Sequence, residues 1–428
     1  MRLLLKNGLV YLPGGSVSNV NIGVSGSIID YVSSDEPSEK YDIVKDMSGM
    51  LIMPGLVNAH THAAMTLLRG VGSDLNLQEW LFGKIVPIED KLTENDIKTG
   101  TELAMLEMLA SGTTSFSDMY FFPEVTAEAV LASGMKANLN RPVQSFDASE
   151  KGSKSRRIKE SLALYRDYNG LGDGRLKIDF CIHAEYTCTE AVTRYLAEII
   201  KEKKGNLHLH LSETKKEHDE CIKKYGKTPL RWFYDLGALS ANAFCAHSVW
   251  VSKEDMELMR ELGVSAVHNP TSNLKLGSGF APVQKMLDMG INVALGTDGA
   301  SSNNNLNMLE EMHLASIIHN GYTGDPTIMK PDSIIKMATR NGARVQCRNN
   351  TGEIRTGYSA DIIAVNLSSP HMRPNLDAPA LICYSAQASD ISMTMVDGRI
   401  LYENGEYYTL DKDRILFDVE KAVKRLYR

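Results

Sequence analysis

Residues 54–348 alternate short apolar runs with stretches of helical periodicity, eight times over. The apolar runs fall at 56–60, 113–117, 136–140, 177–182, 206–211, 243–247, 264–267 and 291–295, each of strand length. In the clearest intervening segment Thr93 stands where a helix cap is needed, and Ile97, Thr101, Ala104, Met105 and Met108 fall on one face. A helix between two strands returns the chain to the edge it left, so successive strands run parallel. Eight such units predict an α/β fold, a closed (β/α)8 TIM-type barrel. An open doubly wound sheet is the alternative, but it calls for a Gly-rich phosphate turn after an early strand, and the sequence has none.

The two ends of the chain resemble each other and differ from the middle. β-Rich segments at 3–10, 20–24 and 28–32 are punctuated by Gly14, Gly15 and Gly26. The same character returns at 360–367 and 392–396, with Asp397-Gly398 as a hairpin turn into 399–402. One small β-sandwich domain built from both termini accounts for this. The expected units are 1–53 as its N-terminal part, 54–348 as the barrel, and 349–428 as its C-terminal part with a terminal helix.

Composition narrows the class. With 428 residues, 43% of them hydrophobic, the chain can bury a large core. A net charge of -7 and no basic stripe exclude a nucleic-acid partner. No run of 18 apolar residues is present, so no membrane span is expected. Met1 to Lys6 contain too short an apolar run for a signal peptide. Cysteines 181, 188, 221, 245, 347 and 383 form no CxxC pair and read as reduced thiols of a cytoplasmic protein. A closed homo-oligomer is the default for such an enzyme.

A barrel presents its chemistry at the C-terminal ends of its strands. The first strand ends in His60-Thr61-His62, whose alternate residues point the same way. The fifth ends in His208-Leu209-His210, the sixth in His247, and the eighth runs into Thr297-Asp298. Imidazole and carboxylate together suit Zn²⁺ in a site that keeps a position open for water. His208 shares a face with His210 but lies deeper and reads as a packed interior residue.

These stations resemble the amidohydrolase superfamily. Pro54-Gly55-Leu56-Val57-Asn58-Ala59-His60-Thr61-His62 looks like its opening signature, and His210-Leu211-Ser212-Glu213, His247 and Gly296-Thr297-Asp298-Gly299 match its later stations in order. Binuclear members carry a bridging Lys at the end of strand four; here that strand ends in His183 and Lys177 sits at its other end. The resemblance therefore implies one divalent metal, Zn²⁺ or else Fe²⁺, on His60, His62, His210 and Asp298. It implies Asp298 as acceptor of a water proton, His247 as the group that orients the water, and Glu213 as proton shuttle.

Longer runs narrow the branch. Met65 to Gly70, Glu79-Trp80-Leu81-Phe82, Pro87-Ile88-Glu89, Asp118-Met119-Tyr120-Phe121, Ser272 to Gly277 and Thr297 to Asn304 resemble the methylthioadenosine/S-adenosylhomocysteine deaminases. What this resemblance implies is hydrolytic deamination of a small adenosine-type nucleoside. His183 would meet a purine nitrogen and Glu89 the ribose hydroxyls. Arg141 and Arg157 would meet an amino-acid carboxylate on the 5′ side, with Arg156 the alternative to Arg157. Glu213 and Asp298 would touch the substrate as well. His268-Asn269-Pro270 is expected to shape the pocket wall. A guanine deaminase or chlorotriazine hydrolase is the competing enzyme reading. A non-catalytic binding protein is the reading from another class.

Overall fold

The computed structural model describes residues 2–75, 77–240 and 242–427, and a parallel barrel lies at its centre. Its strands are Leu56–Thr61, Thr113–Met119, Lys136–Asn140, a fourth in two pieces (Leu176–Ile178 and Phe180–Cys181), Leu207–Leu211, Ala243–His247, Ser265–His268 and Val293–Leu295. Neighbours pair in parallel in chain order. The strands are buried on both faces, which is why they read as continuous apolar runs rather than as alternating ones.

Two seams need explanation. In the fourth strand the first piece bonds to the third strand and the second piece to the fifth. The change of partner takes one residue: Asp179 N–H donates to Leu139 O at 2.9 Å, and Phe180 N–H donates to Asn206 O at 2.8 Å. The eighth strand meets the first where Asp298 N–H donates to His60 O at 3.0 Å. Gly296 stands at this seam, and a Cβ there would lie 2.8 Å from His60 N and 2.9 Å from His60 O. The close approach requires glycine.

The helix expected after Thr93 spans Glu94–Ala110. Thr93 and Asp96 form a reciprocal cap, with Thr93 N–H donating to Asp96 Oδ2 at 2.7 Å. All five residues of the expected face are buried. The helix that ends the chain, Lys412–Leu426, packs against this one. Arg414 reaches Glu102 at 3.0 Å, and Arg425 pairs with Asp96. Ala422 and Leu426 thereby join Met65, Leu68 and Trp80 in an apolar cluster under the loop that follows the first barrel strand.

Strands from both termini share one seven-stranded sheet. Its order is Glu406–Tyr407, Arg399–Glu403, Ile391–Val396, Ile362–Asn366, Met50–Pro54, Leu9–Tyr11, Val17–Asn19. A second sheet is wholly N-terminal: Ile28–Ser33, Asn21–Ser25, Arg2–Lys6, Ile43–Asp46. Leu3, Leu5, Ile22 and Val24 of the second pack with Val10, Ile52, Ile362 and Met393 of the first, which makes the sandwich. The single strand expected at 3–10 is two strands in different sheets. The chain turns between them at Asn7, whose φ of 66° is left-handed, a conformation asparagine tolerates better than most residues. Met50–Pro54, central to the large sheet, was not anticipated, because its apolar run is continuous with the approach to the barrel.

Candidate metal and substrate site

Three imidazoles and one carboxylate converge at the C-terminal mouth of the barrel. His60 Nε2 and His62 Nε2 lie 3.3 Å and 3.2 Å from Asp298 Oδ1. Potential ligand atoms of His60, His62 and His210 lie within 4.8 Å of one another, as do those of His60, His247 and Asp298. The other ring nitrogens are tied to the scaffold. His62 Nδ1 is 2.6 Å from Met119 O, and His210 Nδ1 is 3.0 Å from His183 O. Because a carbonyl only accepts, each of these Nδ1 atoms carries a proton, and in the neutral ring Nε2 keeps its lone pair. Asp298 Oδ2 accepts from Ser272 Oγ at 2.6 Å and Ser302 Oγ at 2.8 Å, so Oδ1 is left facing the histidines. His60 Nε2 is buried without a hydrogen-bond partner among the described residues. Such an orphaned ring nitrogen among imidazoles and a carboxylate is what a divalent ion satisfies. The residues present fit a divalent metal.

The backbone is strained where these groups are displayed. His247 has φ 69°, Asp298 60°, Ser212 44° and Ser248 49°. Non-glycine residues in the left-handed region cost roughly 1–3 kcal/mol each and gather at functional sites.

Glu213 is buried rather than a solvated helix-start carboxylate. Its Oε2 lies 3.7 Å from His247 Nε2, and its Oε1 accepts from Ser278 Oγ at 3.4 Å. Burial pushes its carboxyl up to about 7, with His247 opposing and the Asp298 charge adding to the rise. Asp298 goes the other way: burial opposes it, yet the imidazoles facing it, His60 and His62 foremost, hold it well below the usual carboxylate range. Two neighbouring carboxyls are thus set to different protonation tasks.

Above this floor opens a cavity of about 550 Å³ lined by Glu89, Arg141, Arg157 and His183 as well as the cluster. Glu89 ends the short helix Val86–Glu89, and Tyr120 Oη donates to its Oε1 at 2.6 Å. Arg141 follows the third strand directly; its Nε donates to Glu160 Oε2 at 3.0 Å, and its guanidinium lies 5.7 Å from the Phe121 ring centroid. Arg157 sits in the first turn of Arg156–Tyr168. Nη1 of Arg141 and Nη1 of Arg157 are both buried without a hydrogen-bond partner among the described residues. Burial and the charge of Arg141 lower the Arg157 pKa. Arg156, with 91% of its side chain exposed, pairs outward with Glu160, so Arg157 is the one that faces the cavity. His183 Nδ1 lies 3.2 Å from Thr187 Oγ1. Burial, then the neighbouring cationic groups, bring His183 down to about 3, which keeps it neutral.

One expectation needs correction. His268-Asn269-Pro270 does not line the cavity. His268 turns away to His319, at 3.2 Å between Nε2 atoms. The segment instead supports the site from behind: Asn273 Oδ1 lies 2.9 Å from His247 Nδ1, and Ser272 holds Asp298. The helix Pro270–Lys275 starts at the strand end and carries its polar residues across the back of the cluster. Ser272, Asn273, Ser302 and Tyr120 lie within the motif runs, and the sequence assigns them no role. Their signal was a polar run at the top of a barrel strand, which does not tell ligand from support.

Residues 51–401 match the model of the amidohydrolase family. The chain is 42% identical to the 5-methylthioadenosine/S-adenosylhomocysteine deaminase of Acetivibrio thermocellus over 100% of both chains. It is 40% identical to the 5'-deoxyadenosine deaminase of Methanosarcina mazei, covering 99% of this chain and 94% of that one. Among solved structures, an adenosine deaminase from Xanthomonas campestris with bound zinc superposes with a TM-score of 0.94 at 30% identity, covering 99% and 98% of the two chains.

Proposed function

Because the chain belongs to the amidohydrolase family, we propose that it deaminates adenosine-type nucleosides hydrolytically, converting the 6-amino purine and water to the inosine analogue and ammonia. S-adenosylhomocysteine, 5′-methylthioadenosine, 5′-deoxyadenosine and adenosine are the substrates. The observation that carries the reading is the pairing, in one cavity, of the His/Asp cluster with two guanidiniums whose Nη1 atoms are buried and unpartnered. A buried donor without an acceptor is costly, and a ligand carboxylate removes that cost.

His60, His62, His210 and Asp298 would hold one Zn²⁺ per chain. A divalent ion there supplies Lewis acidity that brings the pKa of water down to about 7. The remaining work belongs to side chains. Asp298 accepts the proton of the attacking water, and His247 orients that water and faces the charge that develops at C6. Glu213, poised at about 7, gives its proton to the ring nitrogen, takes the second proton of the water and passes it to the departing amine, and the proton held by Asp298 then restores Glu213. His183, whose Nδ1 lies 3.2 Å from Thr187 Oγ1, meets a purine nitrogen through Nε2. Glu89, braced by Tyr120, accepts from the ribose hydroxyls through its two oxygens. Guanine and triazines offer no ribose to Glu89 and no carboxylate to the arginines.

Ammonia release from adenosine, its three 5′-modified forms, guanine and cytosine tests this. The nucleosides are expected to turn over. Release from guanine or cytosine alone overturns the reading.

A further inference from the structure

The hydrogen bonds behind His60 carry a requirement that its position at the strand end does not reveal. His60 Nδ1 is 2.8 Å from His208 Nε2, and His208 Nδ1 is 3.1 Å from the side-chain amide of Asn140. All three side chains are fully buried, and the His208 ring is stacked on Phe244 at 4.2 Å between centroids. His62 and His210 each face a carbonyl, which settles their tautomers. His60 faces another imidazole, so its tautomer is settled only by what lies behind that imidazole.

A neutral imidazole carries one proton. For His60 Nε2 to offer a lone pair to a metal, its proton must sit on Nδ1 and be given to His208 Nε2. His208 must then carry its own proton on Nδ1 and give it to an acceptor. With the Asn140 Nδ2 group against His208 Nδ1 the chain runs backwards: His208 would present N–H to His60 and force the His60 proton onto Nε2. In that same orientation Asn140 Oδ1 is buried without a partner. Amide oxygen and nitrogen are interchangeable by a half-turn of the side chain. The unpaired Oδ1 means that hydrogen-bond count does not favour that orientation, and ligation by His60 requires the other.

We propose that Asn140 and His208 are positioning residues for the metal centre. In the metal-loaded enzyme Asn140 Oδ1 accepts from His208 Nδ1–H, His208 Nε2 accepts from His60 Nδ1–H, and this relay holds His60 in its ligating tautomer. The proposal rests on the metal reading only in taking His60 Nε2 as a ligand atom. It does not depend on which nucleoside is deaminated.

Two substitutions separate the orientations. Asn140→Asp keeps acceptors at this position and removes the donor, whereas Asn140→Leu keeps the size and removes both. Zn²⁺ affinity, measured by competition with a chromophoric chelator, is expected to stay within about 3-fold of wild type for Asn140→Asp and to fall about 10–100-fold for Asn140→Leu, the usual effect of losing a group that orients a ligand. Equal losses in the two variants, or no loss in Asn140→Leu, overturn the proposal. The unsubstituted protein supplies a measurement independent of how either variant folds. In ¹⁵N-histidine-labelled, Zn²⁺-loaded enzyme, long-range ¹H–¹⁵N correlations are expected to place the His208 proton on Nδ1. A proton on His208 Nε2 overturns it. Neither readout involves substrate, so failure of the deaminase reading and failure of the relay remain distinguishable.

Discussion

Arg141 and Glu213 make opposite demands on experiment, one selective among substrates and one common to all. Arg141 Nη1 lacks a partner, and a charge-assisted bond to a substrate carboxylate is worth roughly 1.5–3 kcal/mol. Arg141→Ala should therefore lower kcat/KM for S-adenosylhomocysteine by about 10- to 150-fold. 5′-Methylthioadenosine and 5′-deoxyadenosine have no carboxylate, so their values should move by less than about 3-fold. Equal losses on all three would make Arg141 a structural residue. Glu213→Gln should retain metal and lose about 10²–10⁴ in kcat on every substrate; retention of half the activity would remove Glu213 from the mechanism. The same substitution has a stability signature in metal-stripped protein. A carboxyl raised from 4.5 to about 7 binds its proton more tightly folded than unfolded. Its stabilisation is complete below its unfolded pKa and is lost as pH rises through the folded one. The Tm of Glu213→Gln relative to wild type should rise between about pH 4.5 and pH 7 and then level off. A difference constant across that window would contradict the buried carboxyl.

Among the elements, the seam between the first and eighth strands is the sensitive one, because it carries His60 and Asp298 on facing backbones. A Cβ on Gly296 would meet His60 N at 2.8 Å and Asn269 Oδ1 at 2.7 Å. Backbone cannot step aside as a flexible side chain can, so the strands must part. Gly296→Ala is expected to cost about 1–3 kcal/mol of stability and, beyond that, to lower metal occupancy, because His60 and Asp298 would no longer converge. Full occupancy with unchanged Tm would show that the seam tolerates a methyl group.

For the molecule as a whole, the barrel and the metal centre should come apart cleanly. The large apolar clusters lie between barrel and helices and within the sandwich, while the proposed ligands sit at one mouth. Chelation should abolish turnover with the far-ultraviolet circular dichroism unchanged. One equivalent of Zn²⁺ per chain should restore activity. A reproducible requirement for two equivalents would overturn the mononuclear proposal. Lys177, the lysine of the fourth strand, is engaged elsewhere, with Nζ donating to Cys347 O at 2.6 Å.

Strand positions in the barrel were legible because parallel strands buried on both faces must be apolar throughout, and the chain has eight such runs. The stations His60, His62, His210, Glu213, His247 and Asp298 were legible because strand ends point into one mouth whatever the loops do. Other features depend on distant segments meeting, and no local pattern encodes that. The break of 3–10 into strands of two sheets follows from a left-handed residue at Asn7. The choice of Arg157 over Arg156 depends on which side of one helix turn the cavity occupies. His208 read correctly as interior, but its contact with His60, 148 residues away, came only with the closed barrel. Local periodicity determines which residues are strand, helix and rim. Long-range packing alone decides which rim residues converge on one point and which brace them from behind.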